Sequence, residues 1–441
     1  MLLALIVFIL YSNITVITYF LGMDEMAVPA ALIGFLPFLL CVIFPSYKKI
    51  EEKRIRRLQR GVALLIEFLI TCAVDVGALV SYLVYANMNE GIASEIVVKD
   101  VIIAVIAGNI IFWSGIITVY VQSRQLGFKW RVIGILCGMI PVAHLVALGY
   151  IIKITFREYR DEDARYILNK GRAADKICQT KYPILMVHGV FFRDSGVFNY
   201  WGRIPADLEK NGATVFYGNQ ESAASVDECG KQIAARIKEI VEQNGCEKVN
   251  IIAHSKGGLD SRAAITLCGA APYVASLTTV NSPHYGCQFA NYLLTNAPDK
   301  LRQSIASNYN AVLTKVGDKN PDFLSAVSDL TDTSCKTFNE RCPDAPGVFY
   351  QSVGSTSLKA SSGRFPLNLS YHLVNHFDGA NDGLVSLPSM KWGDNFEVIK
   401  PNKKRGITHG DVIDLMRENI DGFDVRETYV KIVSGLKERG F

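Results

Sequence analysis

The sequence predicts two structural classes in one chain of 441 residues. The first is an all-α membrane bundle, and the second an α/β domain with a mainly parallel sheet covered by helices on both faces. Three observations lead there. Residues 1–155 hold only 12 Lys/Arg and 9 Asp/Glu, leaving 34 and 33 for the remaining 286. Long apolar stretches fill that first third. From Tyr182 onward, short apolar runs alternate with amphipathic segments, the pattern of strands interleaved with helices.

The whole-chain averages describe neither part well. Hydrophobic residues make up 49% and charged residues 20%, with a mean hydropathy of +0.19, more apolar than an ordinary soluble chain. A disordered, collagen-like or repeat-array protein is excluded. The net charge of +4 is too small and too dispersed for a nucleic-acid binder.

Four stretches, 2–22, 27–45, 101–121 and 132–154, have the roughly 20 apolar residues a helix needs to cross a bilayer. A fifth, 61–86, is long enough but contains Glu67 and Asp75. Lipid cannot satisfy main-chain polar groups, so about five spanning helices are expected over 1–154. The first stretch lacks a basic leader and a small-residue cleavage site, so it is expected to be a span rather than a signal peptide. Glu67 and Asp75 are expected to be hydrogen-bonded within the bundle, His144 being one candidate partner.

Orientation follows from basic residues in short loops. Residues 47–60 carry seven and 122–131 carry three, against none in 23–26 and one in 87–100. The basic loops face the cytoplasm, and five crossings would put the rest of the chain outside the cytoplasmic membrane. On that reading Lys153, Arg157, Arg160 and Arg165 fall on the external side, interleaved with Glu158, Asp161, Glu162 and Asp163. Residues 155–181 read as a charged, helical linker, and 182–441 as the α/β domain.

Within that domain, 184–187, 214–217, 249–253 and 274–280 are strand-like. Residues 227–244 form a helix, with Ile233, Ile237, Ile240 and Val241 near a 3.6 period. The third strand runs into Ala253-His254-Ser255-Lys256-Gly257 and then a helical pattern. This is a nucleophile elbow with Ala in place of its first Gly, a sharp turn that exposes the Ser255 hydroxyl at a helix N-terminus. Upstream, Tyr182 to Val190 is a strand ending in His188-Gly189. The N–H groups of Val190 and Lys256 are the candidate oxyanion donors.

Chain order in such a fold is Ser, then acid, then His. The turn-rich segment 378–385 is the best acid site, and only His409 follows it. The assignment is Ser255 nucleophile, His409 general base and acid, and Asp382 orienting acid, with Asp378 the second choice. His284 reads as structural. The ten cysteines form no clear framework and no zinc spacing, although Cys335 and Cys342 are near enough in sequence to pair in an oxidising compartment.

Together these residues carry a resemblance. Tyr182-Pro-Ile-Leu-Met-Val-His-Gly189, Tyr200-Trp-Gly-Arg-Ile-Pro205, the elbow, Ser282-Pro-His-Tyr-Gly286, Asn381-Asp-Gly-Leu-Val385 and His409-Gly-Asp411 resemble the secreted bacterial triacylglycerol lipases of the α/β-hydrolase superfamily. About 230 residues are covered. The resemblance implies an α/β-hydrolase fold and lipid-ester hydrolysis with no cofactor required for the chemistry. It also implies a structural calcium with Asp411 as one ligand, although 360–370 lacks an acidic residue where the second would be sought. A mobile lid would correspond to 288–330.

The expected protein is thus a multi-pass membrane-anchored serine ester hydrolase whose partners are a lipid ester and the bilayer. The alternatives are a non-catalytic hydrolase-like scaffold or binding domain on a membrane anchor, and a phospholipase or thioesterase using the same triad. Oligomeric state is not legible.

Overall fold

The computed structural model describes residues 2–44, 50–89, 91–138, 140, 142–190, 199–221, 223–296, 298–300, 303, 307, 323–364, 367–400 and 405–441. The chain divides into two compact units, Met1–Leu168 and Asn169–Phe441. The division falls inside the stretch 155–181 expected as a linker.

The first unit is helical: α1 (Leu2–Ser12), α2 (Ile14–Phe20), α3 (Ala27–Ile43), α4 (Lys53–Asn89), α5 (Ser94–Gln122), α6 (Gly127–Cys137) and α7 (Ala143–Arg172), which runs on into the second unit. Among the described residues, three helical segments are long and apolar enough to cross a membrane: 24–43, α4 and α5. The pair α1–α2, bent by 69°, makes a fourth if it is one span. Helices α4 and α5 pack closely along their length. A methyl group at Gly61 would sit 3.0 Å from the Thr118 side chain. Asp75 accepts hydrogen bonds from Ser12 Oγ (2.6 Å) and Asn13 Nδ2 (2.7 Å), at the bend between α1 and α2. His144 instead bonds the carbonyl of Ile140, just before its own helix.

The fifth expected span, 132–154, is not one helix. It is divided between α6, of 11 residues, and the start of α7. Gly138 follows α6, and Val142 precedes α7 at φ 66°, a left-handed backbone that does not continue a helix. At 1.5 Å per residue α6 is about 16 Å long, roughly half a hydrocarbon core. External placement of the catalytic part depended on a fifth crossing, and the broken helix removes that support.

The second unit is built on six parallel strands in the order β2-β1-β3-β4-β5-β6. They are β1 (Ile184–Val187), β2 (Val215–Tyr217), β3 (Val249–His254), β4 (Val274–Val280), β5 (Phe349–Ser355) and β6 (Asn395–Ile399). Every residue of β1, β3 and β4 is buried, as expected of a parallel sheet covered on both faces.

Side-chain alternation sends Ile184 and Met186 of β1 to one face. There they pack with Ile204 and Leu208 of α8 (Ile204–Lys210) and with Val430 and Val433 near the C-terminus. Leu185 and Val187 go to the other face, against Ile233, Ile237 and Ile240 of α9 (Val226–Asn244) and Ala264 of α10 (Lys256–Thr266). Ser225 caps α9 by accepting from the Glu228 N–H, and Gly245 ends it at φ 62°. Of the expected lid, the described parts are the helices α11 (Gln288–Asn296) and α12 (Phe323–Ser328). Residues 297, 301–302, 304–306 and 308–322 of that stretch lie outside the described residues.

Candidate active site

Ser255 stands between β3 and α10 at φ 54°, ψ −133°. A left-handed φ is costly for a non-glycine residue and marks a constrained turn. Its N–H is held by the Val280 carbonyl of β4 at 3.0 Å, so the turn is tied to the sheet. Two glycines make the turn sterically feasible. A methyl group at Gly257 would run into the carbonyls of His188 and Val187, and one at Gly189 would lie 2.8 Å from Ser255 Cβ. Lys256 opens α10, where the first N–H groups have no acceptor within the helix. Val190, the other candidate oxyanion donor, is buried three residues beyond the end of β1.

His409 Nδ1 and Asp382 Oδ2 are 2.6 Å apart, and the His409 N–H donates to the Asp382 carbonyl at 3.0 Å. The Asp382 carboxylate is fully buried, and its remaining acceptor sites are filled. Oδ1 takes the N–H groups of Leu384 (2.9 Å) and Val385 (2.8 Å), while Oδ2 also takes Asn281 Nδ2 (2.6 Å). The His409 ring lies 4.5 Å from that of His254, the residue preceding Ser255. The Asp382–His409 pair thereby lies beside the C-terminal end of β3, against the residue that precedes Ser255 in the chain. Asp378 goes elsewhere, accepting from the Gln288 N–H and facing Cys287 Sγ.

Behind the serine lie groups that the motif alone did not single out. His254 is buried, its Nδ1 2.6 Å from the Tyr200 hydroxyl, which accepts the Gly189 N–H at 3.1 Å. Burial and the neighbouring His409 hold the His254 imidazole well below its ordinary pKa. The Lys256 ammonium, buried like the rest of its side chain, pairs with Asp260 at 2.6 Å and contacts Cys229 Sγ at 3.4 Å. Burial pushes Asp260 up to about 7 against the pull of Lys256. Lys256, next to Ser255 in the chain, thus has its charge paired with Asp260 four residues along its own helix. An i, i+4 Lys–Asp spacing was visible in sequence, but its burial was not.

His284 is structural in its contacts, with Nε2 on the Thr279 hydroxyl at 2.9 Å and its ring 5.2 Å from Trp392. Asp411 does not suit calcium. Both its oxygens are held by Arg405 (2.8 and 3.1 Å), and one also takes the Thr408 N–H. A guanidinium occupies the place a cation would take, and among the described residues no group of three or more His, Cys, Asp or Glu is arranged to hold a metal. Cys335 and Cys342 are both free thiols.

Residues 183–322 match the family model of palmitoyl protein thioesterases. The chain is 33% identical over 185 residues to a triacylglycerol lipase of Burkholderia plantarii, covering 39% of this chain and 51% of the relative. It is 33% identical over 184 residues to one of Pseudarthrobacter phenanthrenivorans, covering 39% and 57%. The second unit is a lipase-like α/β-hydrolase domain. The chain spans about half the length of these two relatives. Among solved structures, the mature form of a Bacillus licheniformis lipase is 24% identical with a TM-score of 0.41, covering 54% of this chain and 88% of that one.

Proposed function

We propose that this chain is a membrane-anchored serine ester hydrolase that cleaves acylglycerol or related lipid esters through an acyl-enzyme. One observation carries the reading. The Asp382–His409 pair at 2.6 Å has its imidazole 4.5 Å from the ring of His254, the residue before a serine held on a left-handed elbow at a helix N-terminus. His409 removes the proton from Ser255 Oγ as the oxygen attacks the ester carbonyl. The tetrahedral oxyanion is received by the N–H groups of Val190 and Lys256. His409 then returns the proton to the departing alcohol, and water repeats the sequence to release the acid. Asp382 orients the imidazole and fixes the tautomer of His409. No metal enters any step.

Lipid esters are favoured as substrates by the triacylglycerol lipases among the relatives and by the apolar helices of the first unit. A second reading, thioester hydrolysis, is favoured by the match of 183–322 to palmitoyl protein thioesterases. Both use the same attack on an acyl carbonyl.

A fluorophosphonate probe on the detergent-solubilised chain tests the nucleophile. Wild type should label and Ser255→Ala should not, and failure of the folded wild type to label would leave a scaffold as the better account. A chain-length series of p-nitrophenyl esters beside palmitoyl-CoA separates the substrate readings. Activity on acetate alone would sink the lipid version, and a strong preference for the thioester would favour the second.

A further inference from the structure

The route by which the chain leaves the first unit is written in the contacts of one buried carboxylate. Glu158, in the middle of α7, is 1% exposed. It accepts Arg54 Nη1 at 2.7 Å, from the first turn of α4. It also accepts Ser123 Oγ at 2.6 Å and the N–H groups of Arg124 and Gln125 at 3.0 and 3.1 Å, from the turn after α5. Arg54 also donates to the carbonyl of Gln122, the last residue of α5. The start of α4, the end of α5 and residue 158 of α7 therefore lie at one level, on one face of the bundle. Further along α7, the Tyr166 hydroxyl donates to Glu51 on that same face.

Between that turn and Glu158, the chain goes in and comes back. Helix α6 is about 16 Å long, and the 16 residues from Ala143 to Glu158 rise about 24 Å. Both fall short of a core of about 30 Å. The two legs lie side by side, with the rings of Trp130 and Tyr150 stacked at 4.9 Å. Leu148 and Ile151 pack against Leu58, Val62 and Leu65 of the basic-loop half of α4. Near the tip of the hairpin, Leu136 and Val142 are about 70% exposed, with no polar face to present to water.

We infer that α6 and the first half of α7 form a re-entrant hairpin seated in the acyl chains of the cytoplasmic leaflet. The chain then leaves on the face that bears the basic loops, so that the covalent path puts everything after Leu168 on the cytoplasmic side. Lys153, Arg157, Arg160 and Arg165 join the basic residues of 47–60 and 122–131 on one side, as the charge rule for short loops requires. The conclusion does not depend on whether α1–α2 crosses, because α4 and α5 alone connect the two levels. Resting on the proposed hydrolase activity, it names the substrate pool: acyl esters of the cytoplasm-facing leaflet rather than external lipid.

The test is cysteine accessibility in intact cells to a membrane-impermeant maleimide, with the wild-type full-length chain as blank. Asn89→Cys, at the far end of α4, should label directly. Glu242→Cys, exposed on α9, should label only after permeabilisation. Labelling of Glu242→Cys in intact cells would overturn the proposal. A C-terminal epitope on the otherwise unchanged chain gives the same answer without a folding risk: it should be cut by protease in inside-out vesicles and protected in right-side-out ones, and the reverse overturns the proposal. Fluorophosphonate labelling of Ser255 in the two kinds of vesicle links the side to the chemistry. Failure to label in both, with the epitope still facing inward, would reject the hydrolase reading and leave the hairpin standing.

Discussion

The Asp382 carboxylate receives three hydrogen bonds besides its contact with His409, and each has a separable job. The two main-chain donors fix the loop; Asn281, itself at φ 49°, fixes the oxygen that faces the imidazole. Asp382→Asn keeps the shape but supports the wrong tautomer, so kcat on a p-nitrophenyl ester should fall by roughly four orders of magnitude with folding intact. Asn281→Ala removes one donor to a charged acceptor, worth about 1.5–3 kcal/mol, so a loss of roughly 10- to 100-fold is expected. Equal kcat for Asn281→Ala and wild type would show that the main-chain donors suffice.

His254 and His284 make a different prediction. Burial depresses both imidazoles in the folded state, while the unfolded chain titrates near 6.5. The depressed groups contribute stability that is present above about pH 6.5 and is lost as pH falls toward their folded values. Each adds a slope of up to about 1.4 kcal/mol per pH unit. The thermal inactivation midpoint of the solubilised chain should therefore decline from pH 7 to pH 5. His284→Asn should flatten that decline; an unchanged slope would mean that His284 does not titrate with unfolding.

At the scale of elements, the elbow was legible because its sequence requirements are local. A buried apolar strand, small residues flanking a serine and a helical pattern leave few other structures. Gly257 shows how tight the requirement is. Its Cβ would meet two carbonyls of the β1 end, so Gly257→Ala should cost about 1–3 kcal/mol by overpacking and displace the oxyanion loop. Loss of fluorophosphonate labelling together with a lower melting midpoint is the expected result, and a fully active, equally stable variant would contradict it.

Strands β5 and β6 were less legible. Phe349–Ser355 mixes Gln and Ser with its apolar residues, and Asn395–Ile399 is a partly exposed edge; neither has the unbroken apolar run of β3 or β4. Their parallel pairing comes from tertiary context. The separation of Asp382 from Asp378 was legible only as a preference, since four residues along a turn give no direction. Tyr200 and His254 meet through folding of segments 54 residues apart, and the Lys256 ammonium reaches Cys229 from 27 residues away.

For the whole molecule, averages over a window could not show that the fifth apolar stretch is divided between one short helix and the start of a long one. Hydropathy records composition, whereas the break between α6 and α7 and the anchoring of Glu158 by groups 33 to 104 residues away decide where the chain goes. The basic loop at 47–60 was legible from the start, and its consequence can be tested at the same scale. If that loop orients the bundle, neutralising charge there should disturb orientation without touching the helix packing. Lys48, Lys49, Lys53, Arg56 and Arg57 changed together to Gln remove five of its seven charges, while Arg54 is kept because it holds Glu158. Introduced into Glu242→Cys, this set should make a measurable fraction of chains label with impermeant maleimide in intact cells. Neutralising Lys231, Lys336 and Lys391 in the second unit should not, because orientation is read from charges near the ends of spans. Unchanged shielding after the five-fold substitution would mean that 122–131 and the basic residues of α7 suffice to hold that face inside.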